Sequence, residues 1–207
     1  MKGRWLLYGT RERLLDAAQR EFLLHGYRGA SLRRIAAAAG VTTGAVYGCF
    51  GGKEGMFEEL VGETYDTFMG NFNEAQNSFK RLSPEQQKNH VGVSSREYME
   101  WAVDYMLDRR DKFRLILQCS DGTRFDHIID KMAAIEVQAT DEFMSVLDGM
   151  EEGHGSVSPM LEHIMVSSMF TGFMEIALHD MSREQAYEYS RQLREFFTAG
   201  WLKIMGL

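Results

Sequence analysis

A chain of 207 residues, 44% hydrophobic and 26% charged, is long enough to bury a sizeable core, which excludes a stapled mini-scaffold, a fibrous chain and wholesale disorder. The formal net charge of −7 argues against a polyanion as partner of the whole chain, yet residues 1–55 hold nine Lys/Arg against four acids and so carry +5, leaving −12 for the rest. Two cysteines, Cys49 and Cys119, make no disulfide framework, and the apolar patch Trp5–Tyr8 is far too short for a signal core or a membrane span, so a cytoplasmic setting without a membrane partner is expected.

With two prolines, 24 aromatics, 14 methionines and no alternating β-branched run, the pattern predicts an all-α chain. A first helix is predicted from about Thr10 to His25, apolar on Leu14, Leu15, Ala18, Phe22 and Leu23, with Thr10 as N-cap and Gly26 ending it. Ser31 is the next N-cap, before a compact helix with Leu32, Ile35, Ala36 and Ala39 inward and Gly40 closing it. Thr42 caps a third helix, Thr43 to about Phe50, which has only Val46 and Phe50 to anchor it. A long amphipathic rod is predicted from Lys53 to about Phe79, followed by a loop over 83–95. Further helices are predicted over 96–110, 112–119 and 125–150, then a glycine-rich connector over 149–158.

Pro159 behind Ser158 opens a helix through His179, and Ser182 with Glu184 and Gln185 opens the last, through Met205. Both are apolar over much of their circumference. That predicts a homodimer through them, with Met165, Phe170, Phe173, Leu193, Phe197 and Trp201 as candidate contacts; the alternative is packing of the pair against the helix at 125–150.

Two short helices joined by a tight glycine turn, the second poor in apolar residues, form the helix-turn-helix pattern in which an exposed helix enters the DNA major groove. Around it, Leu14-Leu15-Asp16-Ala17-Ala18, Phe22, Gly26-Tyr27, Ser31-Leu32-Arg33-Arg34-Ile35-Ala36, Ala39-Gly40-Val41, Gly44, Val46-Tyr47, Phe50 and Lys53-Glu54 resemble the N-terminal signature of the TetR family of bacterial transcriptional regulators. The resemblance covers the first quarter of the chain. It implies a three-helix DNA-binding domain at 1–55 and a helical ligand-binding and dimerisation domain at 56–207. The implied function is a regulator, not an enzyme: most often a repressor that binds a palindromic operator as a homodimer and is released by a small, largely apolar effector.

Carried over by position, the resemblance implies that Arg33 reaches a base or phosphate and that Thr43, Gly44 and Ala45 form the base-facing end of the recognition helix. It further implies that Tyr47 and Lys53 touch the phosphate backbone, while Ser31 and Thr42 are caps whose hydroxyls also meet phosphate. Arg34 is either a solvated charge or a contact. Gly48, Cys49 and Gly52 depart from the family's usual residues.

In the second half, methionine and aromatic density between Trp101 and Met174 suits an adaptable apolar pocket. Tyr105, Gln118, Cys119, His127, His163, Thr171 and Glu175 are the candidate polar ligand contacts. There is no HExxH, CxxC, GxGxxG, P-loop or GxSxG, so no metal, cofactor or catalytic role is expected. Two alternatives stay open: a ligand carrier or interaction protein of the same fold without operator binding, and redox control through Cys49.

Overall fold

The computed structural model describes residues 2–89, 93–149 and 157–205, which form ten α-helices and, among the described residues, no strand. In chain order these are α1 (Lys2–Gly29), α2 (Leu32–Ala38), α3 (Thr43–Phe50), α4 (Lys53–Lys80), α5 (Pro84–Asn89), α6 (Val93–Asp108), α7 (Arg110–Cys119), α8 (Ile128–Gly149), α9 (Pro159–Leu178) and α10 (Arg183–Met205). None of them is long and apolar enough to cross a membrane.

The helix boundaries follow local chemistry. Helical geometry breaks at Gly26, whose φ of 65° suits a residue without Cβ, so the expected end of the first helix marks the kink near the end of α1. The start lies earlier than expected: Thr10 sits inside α1 and is not its cap. Ser31 and Thr42 do occupy N-cap positions with extended backbone, but neither side chain accepts a capping hydrogen bond. Ser158 does cap, accepting from the Leu161 N–H at 3.3 Å. Ser182 and Gln185 form a reciprocal box, each side chain accepting the other's backbone N–H, at 3.2 and 2.9 Å. An identical box between Ser83 and Gln86 opens α5 where a loop was expected, a correction to the reading of 83–95. Residues 90–92 of that segment, and 150–156 of the expected connector, lie outside the described residues.

The helices pack as two units. Unit 1 comprises Met1–Asp66 with Asp111–Ile128, and unit 2 comprises Thr67–Arg110 with Ile129–Leu207. In unit 1, Leu14, Ala18 and Phe22 of α1, Ile35 of α2, Val46 of α3 and Phe57 of α4 are fully buried. The Phe57 ring meets Phe22 edge-on at 5.0 Å and packs 5.8 Å from Phe125, so the segment after α7 shares this core. In unit 2, α6, α9 and α10 pack on one another. The α9–α10 turn is tied to this group by Arg110, which donates to Asp180 Oδ1 at 3.2 Å and to the Met181 carbonyl at 2.8 Å, while the Tyr187 hydroxyl donates to Asp104 Oδ2 at 2.7 Å.

Candidate nucleic-acid interface and ligand cavity

Helix α3 buries only Val46 completely, and two turns with one buried residue bring little stability of their own. It is held at its C-terminal end instead. Gly51 takes the left-handed conformation (φ 71°) and returns its N–H to the Tyr47 carbonyl at 2.9 Å. Arg11 of α1 donates from Nη1 to the Cys49 carbonyl at 3.0 Å, pairs with Glu59 at 2.7 Å, and lies 4.7 Å above the Phe50 ring. The first turn of α4 abuts the same end so closely that a Cβ on Gly55 would stand 1.9 Å from the Phe50 carbonyl oxygen. Only glycine fits there.

Pinned this way, α3 leaves one face open. Tyr47 is 60% exposed, and Thr42, Gly44 and Gly48 are exposed beside half-buried Thr43 and Ala45. On α2, Arg33 is exposed and has no hydrogen-bond or ion-pair partner among the described residues. Lys53, Arg34 and the Ser31 cap are engaged inside the unit. Lys53 is half-buried; its Nζ donates to the carbonyls of Arg28 and Ala30, both at 3.3 Å, and sits 4.7 Å over the Tyr27 ring. Arg34 donates to Glu21 Oε1 at 2.8 Å and to the Gly29 carbonyl at 2.9 Å, and Glu21 also takes the N–H of half-buried Ser31 at 2.9 Å. Burial works to raise the Glu21 carboxyl, but the Arg34 guanidinium and the Ser31 N–H outweigh it and leave the group below its ordinary value. Arg11 and Gly55 hold α3 and were not among the sequence candidates; an arginine 38 positions away from its carbonyl partner has no local signature.

A second polar centre in unit 1 lies on α4. Arg124 donates to both oxygens of Glu58, at 2.8 and 2.5 Å, and to both oxygens of Asp66, at 2.7 and 2.9 Å. Glu58, Gly62 and Asp66 follow one another at helical spacing, and a Cβ on Gly62 would meet Glu58 Oε1 at 2.5 Å. The guanidinium holds both carboxyls below their usual range.

Three of the seven candidate ligand residues also fall in unit 1: Gln118 and His127 are exposed, and Cys119 is buried, with its thiol pushed up by that burial. The other four belong to unit 2. His163 and Thr171 are exposed, Glu175 pairs with His179 at 3.0 Å, and Tyr105 stacks on Trp101 at 4.8 Å under the Arg109 guanidinium. The structure does not bring the seven together.

Unit 2 contains instead a cavity of about 200 Å³ bounded by α4, α6, α8, α9 and α10. Its wall is aromatic, with Phe72, Phe79, Phe143, Phe170, Phe173 and Trp201 among the lining residues. Phe170, Phe173, Phe197 and Trp201, candidate dimer contacts by sequence, thus face a cavity of their own chain. Leu193 packs inside the α9–α10 pair, 3.3 Å from where a Gly172 Cβ would stand, and Met165 is half-buried. The apolar side chains that α9 and α10 leave exposed are Met160, Leu161, Ile164, Phe196 and Ile204.

Few polar groups interrupt the cavity wall. Gln76 donates to Glu136 Oε2 at 2.5 Å, and Thr140 donates to the Glu136 main-chain carbonyl at 3.0 Å. Burial pushes the Glu136 carboxyl up, against the lowering effect of Gln76. The Tyr98 hydroxyl is buried without a hydrogen-bond partner among the described residues, an arrangement that costs about 1–3 kcal/mol where nothing else satisfies it. Burial and then the nearby Glu136 carboxyl push the phenol well up.

Residues 14–60 match the family model of the bacterial regulatory proteins, tetR family. Over 54 residues the chain is 43% identical to the HTH-type transcriptional repressor AcnR of Corynebacterium glutamicum, a match spanning 26% of this chain and 29% of that protein. Over 66 residues it is 38% identical to the HTH-type transcriptional repressor KstR2 of Rhodococcus jostii, spanning 32% of each. The chain therefore spans about a third or less of these curated relatives. Across nearly the whole chain the fold is similar to that of the TetR family transcriptional regulator PfmR of Thermus thermophilus, with a TM-score of 0.54 and 22% identity over 91% of this chain and 95% of that one.

Proposed function

From an N-terminal domain that belongs to the tetR family of bacterial regulatory proteins, we propose that the whole chain is a DNA-binding transcriptional regulator. Residues 1–55 read the operator, and residues 56–207 bind a ligand and pair with a second copy. The observation that carries this reading is the open face of α3, with Tyr47 60% exposed on a helix held at its C-terminal end by Arg11 and Gly55. In the bound state Thr43, Gly44 and Ala45 approach base edges, Tyr47 meets phosphate, and Arg33 supplies the free guanidinium fork. Lys53 and Ser31 act on DNA by fixing the α1–α2 link. The exposed apolar side chains Met160, Leu161, Ile164, Phe196 and Ile204 supply the homodimer contact, and the unit 2 cavity holds the small effector that releases the operator.

Selection of duplexes from a random pool by the purified chain tests the reading. It is expected to enrich a palindrome whose half-sites lie about one helical turn apart, or a multiple of it. Intact dimers that enrich no sequence would instead support a carrier that keeps the fold without the operator.

A further inference from the structure

The unit 2 cavity combines an apolar wall with one unbalanced polar pole. Gln76, Tyr98 and Glu136 come from three helices, α4, α6 and α8. Glu136 Oε2 holds the Gln76 amide, while Oε1 accepts no hydrogen bond among the described residues. The Tyr98 hydroxyl, on a residue only 9% exposed, has no partner there either. Among the described residues Arg194 is the one cation lining the cavity, and it forms no ion pair with Glu136. The carboxyl therefore faces an aromatic enclosure without a counter-charge. The Phe72 ring packs beside this pole, 5.5 Å from the Tyr98 ring and 5.5 Å from the Phe170 ring.

We propose that this pole selects an apolar molecule bearing a protonated amine, seated between Glu136, Gln76 and Tyr98. The inference rests on the ligand-binding reading of unit 2. An ammonium group carries three donors. One reaches Glu136 Oε1, a second reaches the lone pair of the Tyr98 hydroxyl, and the positive charge faces ring surfaces that attract cations. A hydroxyl of the same reach could make one of these bonds but brings no charge to the carboxylate. A carboxylate ligand would meet like charge at the same place. The upward push on the half-buried Glu136 carboxyl agrees with this, since a desolvated acid paired with no cation gains from receiving one.

Calorimetric titration of the full chain at neutral pH with phenylbutylamine, phenylbutanol and phenylbutyrate, one apolar body with three head groups, tests the selection. The amine is expected to bind roughly tenfold more tightly than the alcohol, the order of one charge-assisted contact, with the acid weakest. Glu136→Gln is expected to abolish the roughly tenfold preference for the amine over the alcohol. Equal or tighter binding of the alcohol or the acid, no binding of the amine, or an amine affinity indifferent to Glu136→Gln would overturn the proposal. The wild-type ranking needs no variant to fold. Adding the amine to a protein–duplex complex separates the two readings: binding sensitive to Glu136→Gln that leaves the duplex bound keeps the selectivity and removes the effector role. A duplex released by other ligands, with no preference for the amine, does the reverse.

Discussion

Helices α3 and α9 are held in opposite ways. The first buries Val46 alone and is fixed at one end by Arg11 on the Cys49 carbonyl and by the close approach of Gly55; the second buries seven residues along its length, from Glu162 to Ala177. A helix pinned at its end keeps a whole face free for a large partner, and its position is set by a few specific contacts. A helix buried along its length becomes a wall, and what it offers a partner is the space left between side chains. Unit 1 accordingly presents a surface and unit 2 an enclosure, which suits a duplex in one case and a small molecule in the other.

The contrast can be broken most severely at Gly55. Gly55→Ala places a methyl against the Phe50 carbonyl and is expected to lower stability by about 3 kcal/mol or more, because backbone must move. Gly70→Ala, in the same helix with nothing near the new Cβ, is expected to raise stability by up to about 1 kcal/mol. Urea unfolding of the two variants reads both signs. Next, Arg11→Ala removes the end contact on α3 together with the Glu59 pair, and a loss of about 1–2 kcal/mol is expected from a charged hydrogen bond that is part-buried. Amide hydrogen exchange should then show faster opening of residues 43–50 with α9 unchanged. Gly48→Ala sharpens the comparison in the other direction: its Cβ meets nothing, and the variant is expected to stiffen α3 by up to about 1 kcal/mol, seen as slower exchange in the same helix.

The smallest effect concerns pH. Glu58 and Asp66 are held below their ordinary values by Arg124, so their contribution is present above the unfolded carboxylate range and is lost as pH falls below about 4 through the lowered native values. These groups are partly exposed, so solvent screening keeps each share below about 1 kcal/mol. Urea midpoints measured from pH 7 to pH 3 should fall less steeply in Arg124→Ala than in the parent chain.

The legible parts of the fold were those written in adjacent residues. Gly26, Gly40 and Gly51 mark the turns of unit 1 because each needs a positive φ, and Ser182–Gln185 announces α10 by its capping box. The Ser83–Gln86 box carries the same S-x-x-Q signature, and proline is compatible with a first helical turn, so α5 was equally readable. The open face of α3 was legible from its poverty in apolar residues. The cavity was not, because helical spacing tells which residues share a face and not which face the neighbouring helices leave uncovered. Phe170, Phe173 and Trp201 read as dimer candidates, the cavity they line gave no sign of itself, and Glu136 and Tyr98 gave no signal apart from their partners. Lys53 read as a phosphate contact and Arg34 as a solvated charge or a contact, and in the structure carbonyls and a carboxylate from elsewhere in unit 1 engage them.

The most direct test is a fluorescence-anisotropy titration of the chain against the duplex upstream of its own coding sequence, at two salt concentrations, beside Tyr47→Ala and Arg33→Ala. Tight binding that weakens steeply with salt, falls in both variants, and shows a shallower salt slope in Arg33→Ala, which removes a positive charge, but not in Tyr47→Ala, which removes none, is the predicted result. Binding no tighter than to a scrambled duplex, or unchanged in both variants, would contradict the assignment of α2 and α3 as the DNA-reading surface.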